Sequence, residues 1–474
     1  MNSSRVHRNY FARWSQLPDV TPLIAILMAV MISDLFLGDW DIGPASSRIY
    51  LLGLAALMVA ARVKSRAVTL FHSRLVAGLA VSFAAFTGWA VFNSIYQGAA
   101  VGDTVETFGT SVFFGWLLFL VAQASITRDR DLLILVILLG LTASASALVA
   151  VLQWLGADAA WNVWRSLRPD ELFDPPPAIP GMALFSVPLS YHLLVGGSMI
   201  LGLVMWWPMR SWLLRGLLAG GLVLIALAIA FSLVRSAAGA GLIVVAAFGL
   251  IHYVLRPAWA PSFGLGQIPK AALVAGAAIS IVIAIIAIGV NSEETNYGYP
   301  VSKTRYSLER LTDLSIQTRS GLWRYSIDSW LDSPIIGDIP AYDAGFAQLK
   351  KKDVNLYTPR SPHNLLLNSL VWYGLVGTIL IAIFLGMVFA LAARAIRSAK
   401  GHPSRAPVAI AATIGIAALL FNAQFHNESF LTGSTVGFWL VAFLAAIDRI
   451  AGSEGEPELK GGASDLIRSP GDSD

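Results

Sequence analysis

GLLAGGLVLIALAIAFSLVRSAAGAGLIVVAAFGLIHYVL, residues 216–255, is an apolar stretch of about 40 residues in which Arg235 is the only charged residue. A helix rises about 1.5 Å per residue, and roughly 20 apolar residues are needed to cross a bilayer. The stretch is therefore long enough for two crossings, with Arg235 at the turn between them. This pattern predicts a helical hairpin within a membrane.

The whole chain has the composition of a polytopic membrane protein. Hydrophobic residues make up 56% of its 474 residues and charged residues only 13%, with a mean hydropathy of +0.66, which lies outside the balance of soluble proteins. Cysteine is absent, which excludes disulfides and thiolate metal sites. The net charge of +4 is what basic cytoplasmic loops produce, so it indicates no nucleic-acid partner.

Apolar segments predict an all-α, polytopic fold with about 12 transmembrane helices. The segments are 20–38, 49–61, 75–95, 107–124, 132–155, 183–207, 214–233, 236–255, 271–290, 365–393, 408–425 and 433–448. They divide the chain into a cytoplasmic tail (1–19), helices one to nine (20–290), a large periplasmic loop (291–363), helices ten to twelve (364–449) and a disordered cytoplasmic tail (450–474).

The distribution of basic residues predicts the orientation. With the N-terminus inside, the cytoplasmic segments hold 20 Lys and Arg residues and the short outer loops hold 4, the asymmetry expected of membrane proteins. Long loops cross regardless of charge, so the nine basic and nine acidic residues of 291–363 do not oppose this orientation. Within that loop, the apolar spacing from Arg319 to Leu331 predicts an amphipathic helix on the outer face that ends near Pro334.

Basic side chains on the predicted outer side are candidates for binding an anion. The guanidinium of Arg235 lies at the depth of lipid phosphates and suits a phosphate or diphosphate; the alternative is an arginine that snorkels to the interface. Arg319 either adds a second cation or forms a salt bridge within the loop. The lysine run either contributes to the same site or is a solvated patch. Its members are Lys350, Lys351 and Lys352.

His363 is the candidate general base. Pro359 and Pro362 hold the chain extended before it, and Asn364 then begins an apolar helix. Imidazole titrates near neutral pH and can remove a proton from a hydroxyl group. The alternative is a structural histidine at the interface, and spacing alone does not decide between the two.

His363 and Asn364, followed after nine residues by Gly374-Leu-Val-Gly377, resemble the signature of the O-antigen ligase and O-antigen polymerase family. The layout is also similar, with a large outer loop between late spans and an arginine at an outer helix junction, like Arg235. Further positions in the loop match the family's Arg, Trp and Pro-x-x-Gly. These are Arg319, Trp323, Pro334 and Gly337.

The resemblance, which extends over roughly 215–395, implies a GT-C-like glycosyltransferase in the bacterial inner membrane. Its partners would be the bilayer, an undecaprenyl-diphosphate-linked glycan donor and a lipid-linked or glycan acceptor, and transfer would occur on the periplasmic side. An inverting mechanism without a metal or cofactor is implied. Arg235 and Arg319 would bind the diphosphate and His363 would be the base. Candidate supporting residues are Asn364, Glu428, Lys350 and Lys351.

Other functions stay open at this stage. Ligase and polymerase use the same donor and differ only in the acceptor; the intact histidine signature favours a ligase. A secondary transporter is the alternative from another class, although no internal repeats are found. Asp39-Trp40-Asp41 on the first outer loop could suggest a metal, but a single Asp-x-Asp is common by chance, so we expect none.

Overall fold

The computed structural model describes most of the chain, and the structural statements below concern those residues. They are 22–33, 41–42, 45–65, 68–102, 104, 112–167, 181–183, 186–207, 211–232, 234–252, 314–343, 362–425 and 435–454.

Helices make up nearly all of the described structure, as the apolar segments predict. They are α1 (Pro22–Ile32), α2 (Ser47–Lys64), α3 (Arg74–Tyr96), α4 (Phe114–Ser125), α5 (Asp129–Trp154), α6 (Asp158–Leu167), α7 (Ser186–Trp206), α8 (Trp212–Ser232), α9 (Arg235–Leu250), α10 (Leu314–Asp332), α11 (Leu365–Ser398), α12 (Arg405–Ala423) and α13 (Val436–Glu454). The strands β1 (Asp41–Ile42) and β2 (Ala45–Ser46) form one short antiparallel pair before α2.

The predicted helical class is confirmed, and the predicted number of spans is supported only in part. Seven described helices are long and apolar enough to cross a membrane: α3, α5, α7, α8, α11, α12 and α13. Three shorter apolar helices, α1, α4 and α9, also fall on predicted spans. The predicted ninth span, 271–290, lies outside the described residues. The chain is thus a multi-pass membrane protein with at least seven candidate spans.

The hairpin predicted at 216–255 is present. α8 ends at Ser232 and α9 begins at Arg235, so the charged residue lies at the junction, where a cation avoids the apolar interior. The predicted loop helix is also present as α10, although it begins at Leu314 rather than Arg319. It ends at Asp332 because Pro334 disfavours helical backbone before it.

One end of the bundle is held by charged side chains and is here named the basic end. Its ion pairs and hydrogen bonds join Asp448 to His72 and Arg394, Arg449 to Thr69 and Ala124, and Asp129 to Arg405. These contacts bring together the starts of α3, α5 and α12 and the C-terminal ends of α4, α11 and α13. Three of the connecting segments predicted to be cytoplasmic, those before α3, before α5 and between α11 and α12, therefore lie at one end.

The opposite end is here named the loop end. There Gln97 binds Ile339, Asn364 binds Gln424, and the rings of Trp154 and Phe231 stack with centroids 4.8 Å apart. These contacts join the end of α3 to the turn after α10, the start of α11 to the end of α12, and the end of α5 to the end of α8. The α8–α9 junction, α10 and His363 all lie at this end, so the topology gathers the segments predicted to be outside.

Candidate functional site

His363 has a strained backbone. Its φ is 51°, and it is the only non-glycine residue with positive φ among the described residues. A side chain in this left-handed region costs of order 1–3 kcal/mol, and such residues concentrate at active sites and ligand-binding sites. The strain therefore marks His363 independently of its sequence motif.

Asn364 holds the helix that follows the histidine. Its Oδ1 accepts a hydrogen bond from the backbone N–H of Leu367 at 3.0 Å, which caps the N-terminus of α11. Its Nδ2 donates to the carbonyl oxygen of Gln424 at 3.4 Å, just past the end of α12. The amide oxygen of Asn364 therefore fixes the start of α11, and its amide nitrogen attaches the His363 segment to the end of α12.

The loop helix α10 is attached to the same segment. The indole Nε1 of Trp323 donates to the carbonyl oxygen of Pro362 at 3.0 Å, directly before His363. Arg319 lies one turn earlier on α10, and residues four apart share a helix face. The main chain of Arg319 therefore lies one helical turn from the contact between α10 and the His363 segment. The side chain of Arg319 is outside the described part of the structure.

The start of α9, which carries Arg235, lies beside the same end of α12. Arg235 is the first residue of α9, and Gly239, one turn later, faces Phe421 of α12: a Cβ at Gly239 would lie 3.4 Å from Phe421 Cε1. Phe421 is three residues before Gln424, to which Asn364 binds. The end of α12 is therefore the shared neighbour of the helix starts that carry Arg235 and His363.

The N-terminus of α9 has the properties of an anion site. Val234 precedes it in extended conformation and supplies no side-chain cap to the first N–H groups of the helix. Those groups and the helix dipole favour a negative charge. The side chain of Arg235 itself lies outside the described structure.

Another histidine is buried in the helical bundle. His192 lies fully inside the bundle, with Nε2 3.3 Å from Thr142 Oγ1, so it links α7 to α5. Lys350, Lys351, Lys352, Glu428 and Asp39 lie outside the described residues. Within the part of the chain that is described, no group of three or more His, Asp and Glu residues could hold a metal ion.

A feature that sequence analysis missed is the way the loop closes onto α11, which is broken at Gly374. That glycine has φ 64° and ψ −168°, so backbone groups around it lose their partners within the helix. The turn 334–338 supplies three hydrogen bonds there. They run from Leu375 N to Pro334 O (2.9 Å), from Val376 N to Ile335 O (3.3 Å) and from Asp338 N to Val371 O (3.0 Å). We name this contact the break junction.

Two glycines make the break junction possible. A Cβ added to Gly337 would overlap the carbonyl oxygen of Val371, and one added to Gly374 would overlap that of Ile335. Both glycines also have positive φ, which other residues rarely adopt. The Pro-x-x-Gly of the loop, Pro334 to Gly337, and the first glycine of the histidine signature, Gly374, thus both belong to the break junction.

The loop helix also has a small core of its own. Tyr342 is fully buried, its hydroxyl lies 3.4 Å from Ser326 Oγ, and its carbonyl oxygen accepts a hydrogen bond from the Tyr325 hydroxyl at 2.7 Å. Burial raises the pKa of Tyr342 to about 12, so its hydroxyl stays neutral. This core keeps the segment after the break junction folded against α10.

Comparison with known families supports the resemblance seen in the sequence. Residues 220–382 match the model of the O-antigen ligase family, a region that begins in α8, ends in α11 and contains Arg235, Arg319 and His363. A comparison with curated proteins finds no match. The family match and the apolar helices together support a membrane enzyme of surface-polysaccharide synthesis.

Proposed function

We propose that this protein is a metal-independent, inverting glycosyltransferase that transfers a glycan from undecaprenyl diphosphate to a sugar hydroxyl on the periplasmic side of the inner membrane, in the manner of an O-antigen ligase. The observation that carries the proposal is His363, held in left-handed backbone inside the region matched to the ligase family. Hydrogen bonds attach this histidine segment to α10, the helix of Arg319, and to the end of α12.

The proposed reaction is a single displacement. A ring nitrogen of His363 takes the proton of the acceptor hydroxyl, and the resulting oxygen nucleophile attacks the anomeric carbon of the donor. The bond between that carbon and the diphosphate oxygen breaks, so undecaprenyl diphosphate leaves and the anomeric configuration inverts. Arg235 and Arg319, with the N–H groups at the start of α9, stabilise the charge on the leaving group.

The surroundings of Arg235 suit a lipid-linked donor. The helices on either side of the junction carry exposed apolar side chains, including Val223, Leu242 and Ile243. A polyprenyl tail can lie against such a surface within the bilayer while its diphosphate stays at the junction. A soluble sugar nucleotide would gain nothing from this apolar surface.

The proposal is tested by replacing His363 with asparagine and measuring transfer from a purified undecaprenyl-diphosphate donor. Asparagine tolerates left-handed backbone but cannot act as the base, so we expect turnover to fall by about 10²–10⁴-fold while the thermal midpoint stays near that of the parent. His402→Asn, at the basic end, is the matched control. Undiminished turnover in His363→Asn would remove the general-base role, and loss of activity with a chelator would contradict metal independence.

A gel of the surface glycan separates ligase from polymerase. Deletion of the gene should leave full-length chains on the carrier and none on the lipid acceptor if the protein is a ligase. Acceptor lipids that carry single repeats would instead identify a polymerase.

A further inference from the structure

We propose that Asn93 of α3 and Gln97, the C-cap residue of the same helix, are positioning residues for this transfer reaction, because they hold the break junction and through it set the placement of Arg319 relative to His363. The inference rests on the proposed function. Neither residue belongs to the matched region 220–382; both come from a helix more than 230 residues away in sequence from the turn that they bind.

Asn93 connects the two sides of the break junction. Its Nδ2 donates to the carbonyl oxygen of Ile336 in the turn and to that of Trp372 in α11, both at 2.8 Å. The side chain is 1% exposed, so water does not compete for these bonds. One amide therefore fixes the turn and the broken helix to each other and to α3.

Gln97 lies one turn further along α3 and binds only the loop side. Its Nε2 is 3.3 Å from the carbonyl oxygens of Ile336 and Gly337, and its Oε1 accepts from the backbone N–H of Ile339 at 2.9 Å. The amide thus contacts both donors and acceptors of the turn. This pattern recognises a specific backbone conformation rather than a side chain.

Neutral amides suit this location for a physical reason. A helix broken near the apolar part of a membrane exposes carbonyl groups, and each unsatisfied group costs several kcal/mol. Asn and Gln satisfy them without introducing a charge. Trp89, one turn before Asn93, donates its indole N–H to the carbonyl oxygen of Tyr373 at 2.9 Å. Side chains one turn apart, Trp89, Asn93 and Gln97, therefore all donate hydrogen bonds to carbonyl groups at the break junction.

The break junction affects the site because it holds the chain directly after α10, while a second hydrogen bond holds the middle of that helix. α10 ends at Asp332, two residues before the turn, and its middle is held by the bond from Trp323 to Pro362. With both attachments intact, the helix that carries Arg319 and the segment that carries His363 form one frame. Releasing the turn lets α10 pivot about Trp323, and displacements near 1 Å can reduce turnover by about 10²-fold.

The test compares three variants of the full-length protein. Gln97→Met keeps the length of the side chain and removes its hydrogen bonds, and Asn93→Leu removes the buried amide. Gln153→Met is the matched control, because Gln153 binds the backbone of Gly181 with both amide atoms at 3.0 Å at the same end of the bundle but in a different loop. If Asn93→Leu fails to fold, the half-exposed Gln97 site still tests the proposal.

Two measurements are made on each variant. Spin labels at Asp328→Cys on α10 and Ala393→Cys on α11 report the position of the loop helix by pulsed electron resonance, which the cysteine-free chain makes straightforward. Both sites are exposed. Transfer kinetics, per amount of folded protein, report kcat and the donor KM separately.

We expect Gln97→Met to broaden the spin-label distances and to lower kcat/KM for the donor at least tenfold, while Gln153→Met changes neither. Unchanged distances, or broadened distances with parental kcat/KM, would overturn the positioning role. The distances do not depend on the reaction assigned to the protein. Unchanged distances in Gln97→Met, combined with loss of transfer in His363→Asn, would reject the inference and leave the proposed function standing.

Discussion

At the scale of single residues, the candidate site combines one strained histidine with one arginine at a helix start. The left-handed backbone of His363 is maintained because hydrogen bonds hold the residues on both sides of it, through Trp323 to Pro362 and through Asn364 to Gln424. Arg235 begins α9 without a capping side chain before it. His363 precedes α11 and Arg235 begins α9, and the starts of both helices neighbour the end of α12.

Arg235→Lys tests whether the guanidinium has a role beyond topology. Lysine keeps the charge at the junction but loses the two parallel hydrogen bonds of an arginine to a phosphate. We expect the affinity for the undecaprenyl-diphosphate donor to fall about tenfold or more, measured by direct binding in nanodiscs. Arg397→Lys, an exposed substitution at the basic end, should bind as the parent does. Equal donor affinity in both variants would assign Arg235 to topology alone.

At the scale of elements, α11 differs from an ordinary spanning helix. It covers 34 residues from Leu365 to Ser398, yet the first part and the remainder are separated at Gly374, and the turn 334–338 completes the backbone hydrogen bonding. A loop that inserts its backbone into a helix break is held more tightly than one attached by side chains only. The break junction is therefore the main structural link between the outer loop and the bundle.

Gly374→Ala tests this link. Alanine at this positive φ, with ψ near 180°, costs of order 1–3 kcal/mol, and its Cβ would also overlap the carbonyl oxygen of Ile335. We expect the free energy of unfolding, measured by denaturation in mixed micelles, to fall by more than about 2 kcal/mol. Gly386→Ala in the same helix has open space around it and should gain about 0.5–1 kcal/mol. Equal stability of the two variants would mean that the junction contributes little.

At the scale of the whole molecule, the two ends of the bundle differ in chemistry. Ion pairs such as Arg394 with Asp448 and Arg405 with Asp129 hold the basic end, whereas amides, indoles and backbone groups hold the loop end. The basic residues predict that the basic end is cytoplasmic. In that orientation, the proposed transfer site lies on the far side of the membrane from the cytoplasmic ion pairs.

Labelling of single cysteines in the otherwise cysteine-free chain checks this orientation. Asp328→Cys, at the loop end, should react with a membrane-impermeant maleimide in cells whose outer membrane is permeabilised. Lys400→Cys, exposed at the basic end, should react only after the inner membrane is lysed. The cysteine-free parent, treated with the same maleimide, gives the background signal. The reverse pattern of labelling would show that the predicted orientation is wrong.

The sequence by itself determined the helical membrane class, the hairpin around Arg235, the existence of α10 and the resemblance carried by His363. These features are local: the length and hydropathy of a segment decide whether it can span a bilayer, and a proline close behind a helix limits its end. The start of α10 was predicted five residues too late, because the helix extends beyond the residues that have regular apolar spacing.

Only the tertiary structure decided how those elements meet. The left-handed backbone of His363, the break at Gly374 and the amides of Asn93 and Gln97 depend on hydrogen bonds between residues far apart in sequence, such as the bond from Asn93 to Ile336 across 243 positions. The hydrophobic pattern of a segment does not indicate such pairs, since the sequence around an asparagine near a helix end is the same whichever distant residue the asparagine binds. The candidate residues were therefore predictable one at a time, and their arrangement around the end of α12 was not.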